Sequence, residues 1–165
     1  MKKHLILVLS IFFLTSVMFS TASAQKKRMP EPKVGFSSNV GGTSVISVPF
    51  WISKTVAIAP MFAFYKQDQW GSRFSPGVAV RVHTKPGRIR PYFGGQLMAS
   101  ILSPTGGSGS TSLNVGGLFG ADYYLHPLFS VGVESQLNAA LENKDVGQPL
   151  TLSTVTVVRA TVYIK

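Results

Sequence analysis

The chain has 165 residues, and its 16 Lys and Arg residues against 6 Asp and Glu residues give a formal net charge of +10. It contains no Cys, so a disulfide framework is excluded. A basic chain can bind nucleic acid, but no RNA- or DNA-binding motif is visible in the sequence, and no nucleic-acid partner is expected.

Residues 1–24 have the features of a cleaved signal peptide. Lys2 and Lys3 precede an apolar run over residues 5–14, and Ala22 and Ala24 form an Ala-x-Ala cleavage site. The apolar run is shorter than the ~20 residues that a membrane-spanning helix needs. We expect an exported chain with a signal peptide over 1–24, a flexible leader over 25–32 and one domain over 33–165.

Eight segments of this domain alternate between apolar and polar residues, as strands do when their two faces meet different surroundings. The first five predicted strands cover residues 33–40, 44–51, 55–66, 74–84 and 91–102. The sixth and seventh form a hairpin over 112–141, which turns at residues 125–127 around Pro127, and the eighth covers 150–164.

The hairpin over 112–141 indicates which face meets water. One face of its second arm carries Val131, Val133 and Leu137, whereas the other carries Glu134, Gln136 and small uncharged polar residues. A soluble sheet usually places many Lys and Glu side chains on its wet face, so small polar residues favour a crowded interior instead. The pattern predicts an all-β fold, an eight-stranded antiparallel up-and-down transmembrane β-barrel with its apolar face in lipid.

The connections between the predicted strands alternate in character. Tight or basic turns are expected at 52–54, 85–90 and 125–128, and polar loops at 67–72, 103–111 and 142–149. Aromatic residues near the turns predict a girdle at one membrane interface. Its predicted members are Trp51, Tyr92, Tyr123, Tyr124, Phe129 and Tyr163.

With its signal peptide, its eight alternating segments and stretches such as RPYFGGQL and GGLFGADYYLHPLFSVGVESQL, the chain resembles the small outer-membrane β-barrel, or porin-like, family of Gram-negative bacteria. The resemblance covers essentially the whole domain. It implies localisation in the outer membrane, with periplasmic turns and outer loops. Expected partners are outer-membrane lipid and lipopolysaccharide, and no protein partner can be named.

Several polar and charged side chains face inward in this arrangement. An eight-stranded barrel fills its interior with side chains, and charges there need partners. We expect a polar plug in place of an open diffusion pore, and hence a structural or surface-interaction role. The predicted lumen network consists of Arg81, Asp122, Glu134, Arg159, Gln96 and Gln136.

Two other functions remain open at this point. A soluble lipocalin-like barrel would turn the Val and Phe faces inward around an apolar ligand. A lipid-modifying barrel enzyme would use a base such as His83, although the sequence contains neither G-x-S-x-G nor H-E-x-x-H. No catalytic residue, cofactor or metal site is predicted.

Overall fold

A computed structural model describes residues 34–40, 44–68, 71–84, 87–106, 109–143, 147 and 149–164. The predicted signal peptide over 1–24 and leader over 25–32 lie outside the described residues. Within the described ranges, no helix is long and apolar enough to cross a membrane.

The described residues form a closed antiparallel sheet. Successive strands pair along the chain, and β1 also pairs with β9 through seven residue pairs from Val34–Ile164 to Val40–Val158, which closes the barrel. The strands are β1 (Val34–Val40), β2 (Ile46–Ser47), β3 (Phe50–Trp51), β4 (Val56–Gln67), β5 (Gly71–His83), β6 (Ile89–Ser103), β7 (Ser110–His126), β8 (Phe129–Ala140) and β9 (Thr151–Ile164).

The short strands β2 and β3 are two halves of one barrel strand, because both pair with β1 on one side and with β4 on the other. The break falls at Val48 and Pro49, and proline has no N–H to give to a ladder. The neighbours still use the main chain there: Gly35 N donates to Pro49 O at 2.9 Å and Val48 N donates to Pro60 O at 2.9 Å. The barrel therefore has eight strands, and the predicted fold class is confirmed.

The polar faces of the strands point into the barrel and the apolar faces point outward, as the hairpin pattern predicted. On β8, Ser130, Gly132 and Glu134 are buried, whereas Val133 and Leu137 are more than half exposed. The same arrangement holds around the barrel, where Phe36, Phe93 and other large apolar side chains cover the outer surface. The lipocalin-like alternative is therefore wrong, because the Val and Phe faces are outside. An outer surface of this kind matches the hydrocarbon of a bilayer.

The connections divide the barrel into two ends. We call the end with connections 52–55, 84–88 and 127–128 the turn end, and the end with connections 41–45, 68–70, 104–109 and 141–150 the loop end. The predicted loop over 67–72 is shorter in the structure, since Gln67 already pairs with Gly71. Main-chain N–H and C=O groups pair whatever the side chains are, so strands continue into polar segments that lack a clear apolar–polar alternation.

The barrel wall is uneven at the loop end. No described residue pairs with the β1-side edge of β9 from Thr151 to Val157, or with the β2-side edge of β4 from Ala63 to Gln67. Among the described residues, the short hairpin of β1 and β2 forms the wall between these edges. We call this lower part of the wall the notch. It is bounded by residues 151–157 of β9, by residues 63–67 of β4 and by the loop-end residues Val40 of β1 and Ile46 of β2.

Candidate functional site

The candidate site is the lumen, where inward side chains form a charged network toward the turn end. Glu134 on β8 lies at its centre and is 1% exposed. Its Oε2 accepts hydrogen bonds from Arg81 Nε at 2.8 Å, from the Tyr92 hydroxyl at 2.9 Å and from Arg159 Nη1 at 3.3 Å. Its Oε1 accepts one from Gln136 Nε2 at 2.7 Å. Both carboxylate oxygens of this buried residue are therefore bonded.

Asp122 on β7 is the second carboxylate of the network. Arg159 Nη2 donates to both of its oxygens, at 2.7 and 3.0 Å, and His83 Nε2 lies 3.4 Å from Oδ2. Arg159 thus bridges Asp122 and Glu134 with its two terminal nitrogens. Two arginines face two carboxylates, so the charges of these four residues balance, as burial requires.

An amide ladder extends the network toward the loop end. Gln96 Nε2 donates to Gln136 Oε1 at 3.1 Å and to Asn138 Oδ1 at 2.8 Å. Asn138 Nδ2 approaches Gln136 Oε1 at 3.4 Å. The ladder is possible because Gly116 on β7 leaves space: a Cβ there would collide with the side-chain oxygen Oδ1 of Asn138 and press on Gln96.

Tyrosine hydroxyls complete the lumen at the turn end. Tyr124 donates to the Tyr163 hydroxyl at 3.1 Å, which also lies 3.1 Å from Ser130 Oγ, and the two rings stack with centroids 5.5 Å apart. The guanidinium of Arg90 lies over the rings of Tyr124 at 4.5 Å and Trp51 at 5.4 Å. These side chains lie between the charged network and the turns.

Every residue of the predicted lumen network lies on an inward face, and the contacts above join all six. Arg81, Asp122, Glu134 and Arg159 are buried, and Gln96 and Gln136 are half-buried. The predicted network omitted His83, Tyr92 and Asn138, although the alternation of the sequence already places them on the same faces as Arg81, Gln96 and Gln136, respectively. Each of the three is an even number of residues from that member of the network on its own strand.

The predicted aromatic girdle needs correction. Tyr92, Tyr124 and Tyr163 are at most 4% exposed and hydrogen-bond inside the lumen. Trp51 also faces inward, against the His83 ring at 4.4 Å. The assignment of these four residues to a lipid interface is wrong, since their hydroxyls and ring faces serve buried polar groups instead.

The other two predicted girdle residues have different positions. Tyr123 is on the outer face of β7, 38% exposed, with the Arg88 guanidinium 5.0 Å from its ring centre. Phe129 is half-buried at the start of β8. An arginine over an outward tyrosine near the turn end has the amphipathic character of a membrane interface.

His83 is enclosed and does not have the setting of an exposed general base. Its side chain is 2% exposed and lies between the rings of Trp51 and Tyr92, with Asp122 as its hydrogen-bond partner. The described part of the chain also contains no group of three or more His, Cys, Asp or Glu side chains that could hold a metal ion.

Above the network, a cavity of about 270 Å³ lies in the loop half of the lumen. Its floor includes Arg81 and Glu134, its wall includes the amide ladder, and its upper lining includes Arg73. We call this cavity the vestibule. The inward side chains toward the turn end are thus mostly buried, whereas the cavity lies in the loop half.

Comparisons with known proteins identify solved structures with a similar fold. No family model matches the sequence, and neither does any curated protein. Among solved structures, Neisserial surface protein A (NspA) aligns with a TM-score of 0.57 at 17% identity, covering 79% of this chain and 93% of that one.

A second solved structure agrees with the first. The N-terminal β-barrel domain of Pseudomonas aeruginosa OprF aligns with a TM-score of 0.54 at 12% identity, covering 79% of this chain and 95% of that one. At these identities the likeness concerns the fold. The chain has the fold of the small eight-stranded β-barrels of the outer membrane.

Proposed function

We propose that this protein is an outer-membrane β-barrel with a structural or surface-interaction role, whose lumen is closed by a polar plug and is not a diffusion pore. The observation that carries the proposal is the combination of an apolar outer surface with a buried, charge-balanced network around Glu134 and Arg159. The outer surface suits lipid, and a buried charged network across an eight-stranded barrel supports a plug over an open pore.

The plug consists of the charged network together with the tyrosines below it. Breaking a buried pair by removing one partner is costly, so the network favours one closed arrangement of the lumen. No catalytic activity is assigned, because His83 is enclosed by Trp51, Tyr92 and Asp122.

Lipid headgroups are the partners that the outer surface favours near the turn end. Lys54 and Arg88 are exposed there, beside outward apolar residues such as Ile52 and Leu125. Basic side chains next to an apolar belt attract anionic headgroups. We infer a periplasmic position for this end and an outer, lipopolysaccharide-facing position for the loop end, since such barrels have short periplasmic turns.

Fractionation tests the membrane placement. The expressed protein should stay in the outer membrane after a urea wash, and its gel mobility should differ between unboiled and boiled samples. Recovery in the soluble fraction, with one mobility for both samples, would contradict the proposal.

Conductance tests the plug. The full chain reconstituted in a planar lipid bilayer should give no steady ion current, in contrast to a wide porin measured in the same bilayer. A stable current from every inserted molecule would show that the lumen is an open pore.

A further inference from the structure

The vestibule has two chemically different sides. Toward β6, β7 and β8 it is lined by amide side chains, those of Gln96, Asn114, Gln136 and Asn138. Toward the notch most of the lining side chains are apolar, those of Val45, Met61, Ala63, Val155 and Val157, and they stand beside the small polar side chains of Asn39, Ser47 and Ser153. A compound that fills this space would place a polar group on the first side and an apolar group on the second.

The amide side keeps hydrogen-bonding capacity. Gln96 uses both of its described hydrogen bonds through Nε2, so its Oε1 accepts none from a described residue. The described hydrogen bonds likewise include none from the Asn114 side chain, which is half-buried. Amides carry both donors and acceptors, so this wall can bind hydroxyl or amide groups of a ligand.

The charges around the vestibule argue against an ionised head. Arg81 and Glu134 on its floor are bonded to each other at 2.8 Å, so neither offers an unpaired charge. Arg73, which also lines the cavity, is exposed, so solvent screens its charge and it attracts an ionised head only weakly. Taking a charge into the amide wall without an opposite charge would be costly, whereas a neutral hydroxyl group needs only hydrogen bonds.

The apolar side of the vestibule meets the outer surface of the barrel at the notch. Val45 and Val155 line the cavity, whereas Ile46, next to Val45, and Leu152, on the same strand as Val155, lie on the outer face or at the rim. Residues Thr151 to Thr156 of β9 are exposed on both faces. On β4, the outward Phe62 and Phe64 place the base of the notch at the level of the apolar belt.

We propose that the vestibule and notch together form a binding site for a single-chain amphiphile with an uncharged hydroxyl-bearing head, such as a monoacylglycerol. The head occupies the amide wall beside Gln96 and Asn114, and the acyl chain leaves the lumen over the β1–β2 hairpin into lipid. The cavity of about 270 Å³ suits a small head with the first part of a chain. The proposal rests on the membrane placement proposed above and adds a ligand to it.

Photolabelling tests the site with the full chain in phosphatidylcholine nanodiscs. Two monoacylglycerol probes carry a diazirine, one beside the glycerol ester and one at the chain end, and adducts are located by mass spectrometry. The first probe should label β6 and β8 near Met98 and Asn138. The second should label the rim of the notch near Ile46 and Leu152. Adducts spread evenly over outward residues of all strands would overturn the proposal.

Matched variants separate lumen binding from contact with bulk lipid. Ser100→Phe places a large ring in the vestibule, whereas Ala99→Phe places the same ring on the other face of β6. We expect Ser100→Phe to lower head-probe adducts about tenfold, a factor that corresponds to a tenfold weaker affinity. Ala99→Phe should leave them unchanged, and equal labelling of the two variants would overturn the site.

A third probe and a second variant test the role of the head. An alkane of the same length with a diazirine but no glycerol should label the vestibule about tenfold less than the head probe does. Asn114→Leu, which keeps the side-chain size, should reduce head-probe labelling without reducing alkane labelling. Equal vestibule labelling by both probes would overturn the assignment of a polar head.

Heat-dependent gel mobility is measured first on each protein. A wild-type chain that neither inserts nor shifts on heating would contradict the proposed function itself. A folded, inserted barrel without vestibule adducts would contradict the ligand site alone. The two failures are therefore distinguishable.

Discussion

At the scale of single residues, Arg159 is the side chain on which the lumen network depends most. It joins Asp122 through Nη2 and Glu134 through Nη1, and it is 5% exposed. Without it, Glu134 keeps Arg81, but Asp122 keeps only His83. A buried carboxylate that loses its guanidinium partner is strongly destabilised.

We therefore expect Arg159→Ala to lower the free energy of unfolding by about 3–5 kcal/mol, because it leaves a buried carboxylate without its charged partner. Urea unfolding in phospholipid vesicles, followed by gel mobility, measures this loss. Arg73→Ala removes the same side chain from an exposed position at the loop end and should cost less than about 1 kcal/mol. Similar losses for both variants would contradict a central role for Arg159.

Gly132 has a related role on β8, where a Cβ would collide with Asp122 Oδ1 and meet the Ala121 carbonyl oxygen at 3.0 Å. Gly132→Ala should therefore move Asp122 away from Arg159 and cost about 1–3 kcal/mol, as overpacking does. The control is Gly117→Ala, where a Cβ would meet nothing within 4 Å. The same urea titration should find this control within about 0.5 kcal/mol of wild type.

At the scale of the strands, alternation decides which residues meet lipid. Leu97 lies in the middle of β6 and is 47% exposed, and Leu152 lies near the loop end of β9. An arginine is costly at the middle of the bilayer and much less so near its surface.

The two leucines give a matched pair of substitutions. Leu97→Arg should lower the unfolding free energy in vesicles by about 2–4 kcal/mol, and Leu152→Arg by at most about 1 kcal/mol. A larger loss for Leu152→Arg would mean that the membrane is centred elsewhere on the barrel.

The sequence predicted the faces of the strands better than their ends or their local partners. Period-two alternation follows directly from strand geometry, so the inward positions of Arg81 and Glu134 could be deduced from it. Strand ends could not, because pairing continues past the apolar residues, as the pair Gln67–Gly71 shows. Pro49 indicated an irregularity in the second predicted strand. That the strand resumes after the proline depends on its pairing with the neighbouring strands, which the sequence does not show.

The buried tyrosines show a different limit of sequence reasoning. Tyr124 and Tyr163 lie close to the turns in sequence, which is also where interfacial aromatics occur. Tyr124 is two residues from Asp122 and Tyr163 is four residues from Arg159, so period-two alternation places each tyrosine on the inward face. The contacts themselves, such as the bond between the two hydroxyls at 3.1 Å, join residues 39 positions apart and follow only from closure of the barrel.

At the scale of the whole molecule, the seam between β1 and β9 closes the barrel. The N–H groups of Gly35 and Asn39 point to the hairpin partner, where they donate to Pro49 O and Val45 O. Because N–H directions alternate along a strand, that of Phe36 points to β9. Across the seam, Thr161 Oγ1 also donates to Ser37 Oγ at 3.0 Å inside the lumen.

Phe36→Pro should weaken closure of the barrel, because it removes an N–H group of the seam. The Phe36 side chain lies on the outer face, so the substitution leaves the inward side chains unchanged. Phe36→Ala removes the same ring but keeps the N–H, so it is the control. We expect the proline variant to lose the faster-migrating unboiled form at a urea concentration that the alanine variant tolerates. Equal urea resistance would show that the seam does not limit stability.

The order of the network along the chain has a consequence for how the barrel assembles. Arg81 lies on β5, Asp122 on β7 and Glu134 on β8, whereas the arginine that bridges the two carboxylates lies on β9, the same strand that pairs with β1. Until that last strand docks, Asp122 lacks its guanidinium and the sheet has two free edges. Charge pairing and edge closure thus both require β9. A barrel that lacks this strand is unfavourable on both counts, which favours assembly without a stable intermediate.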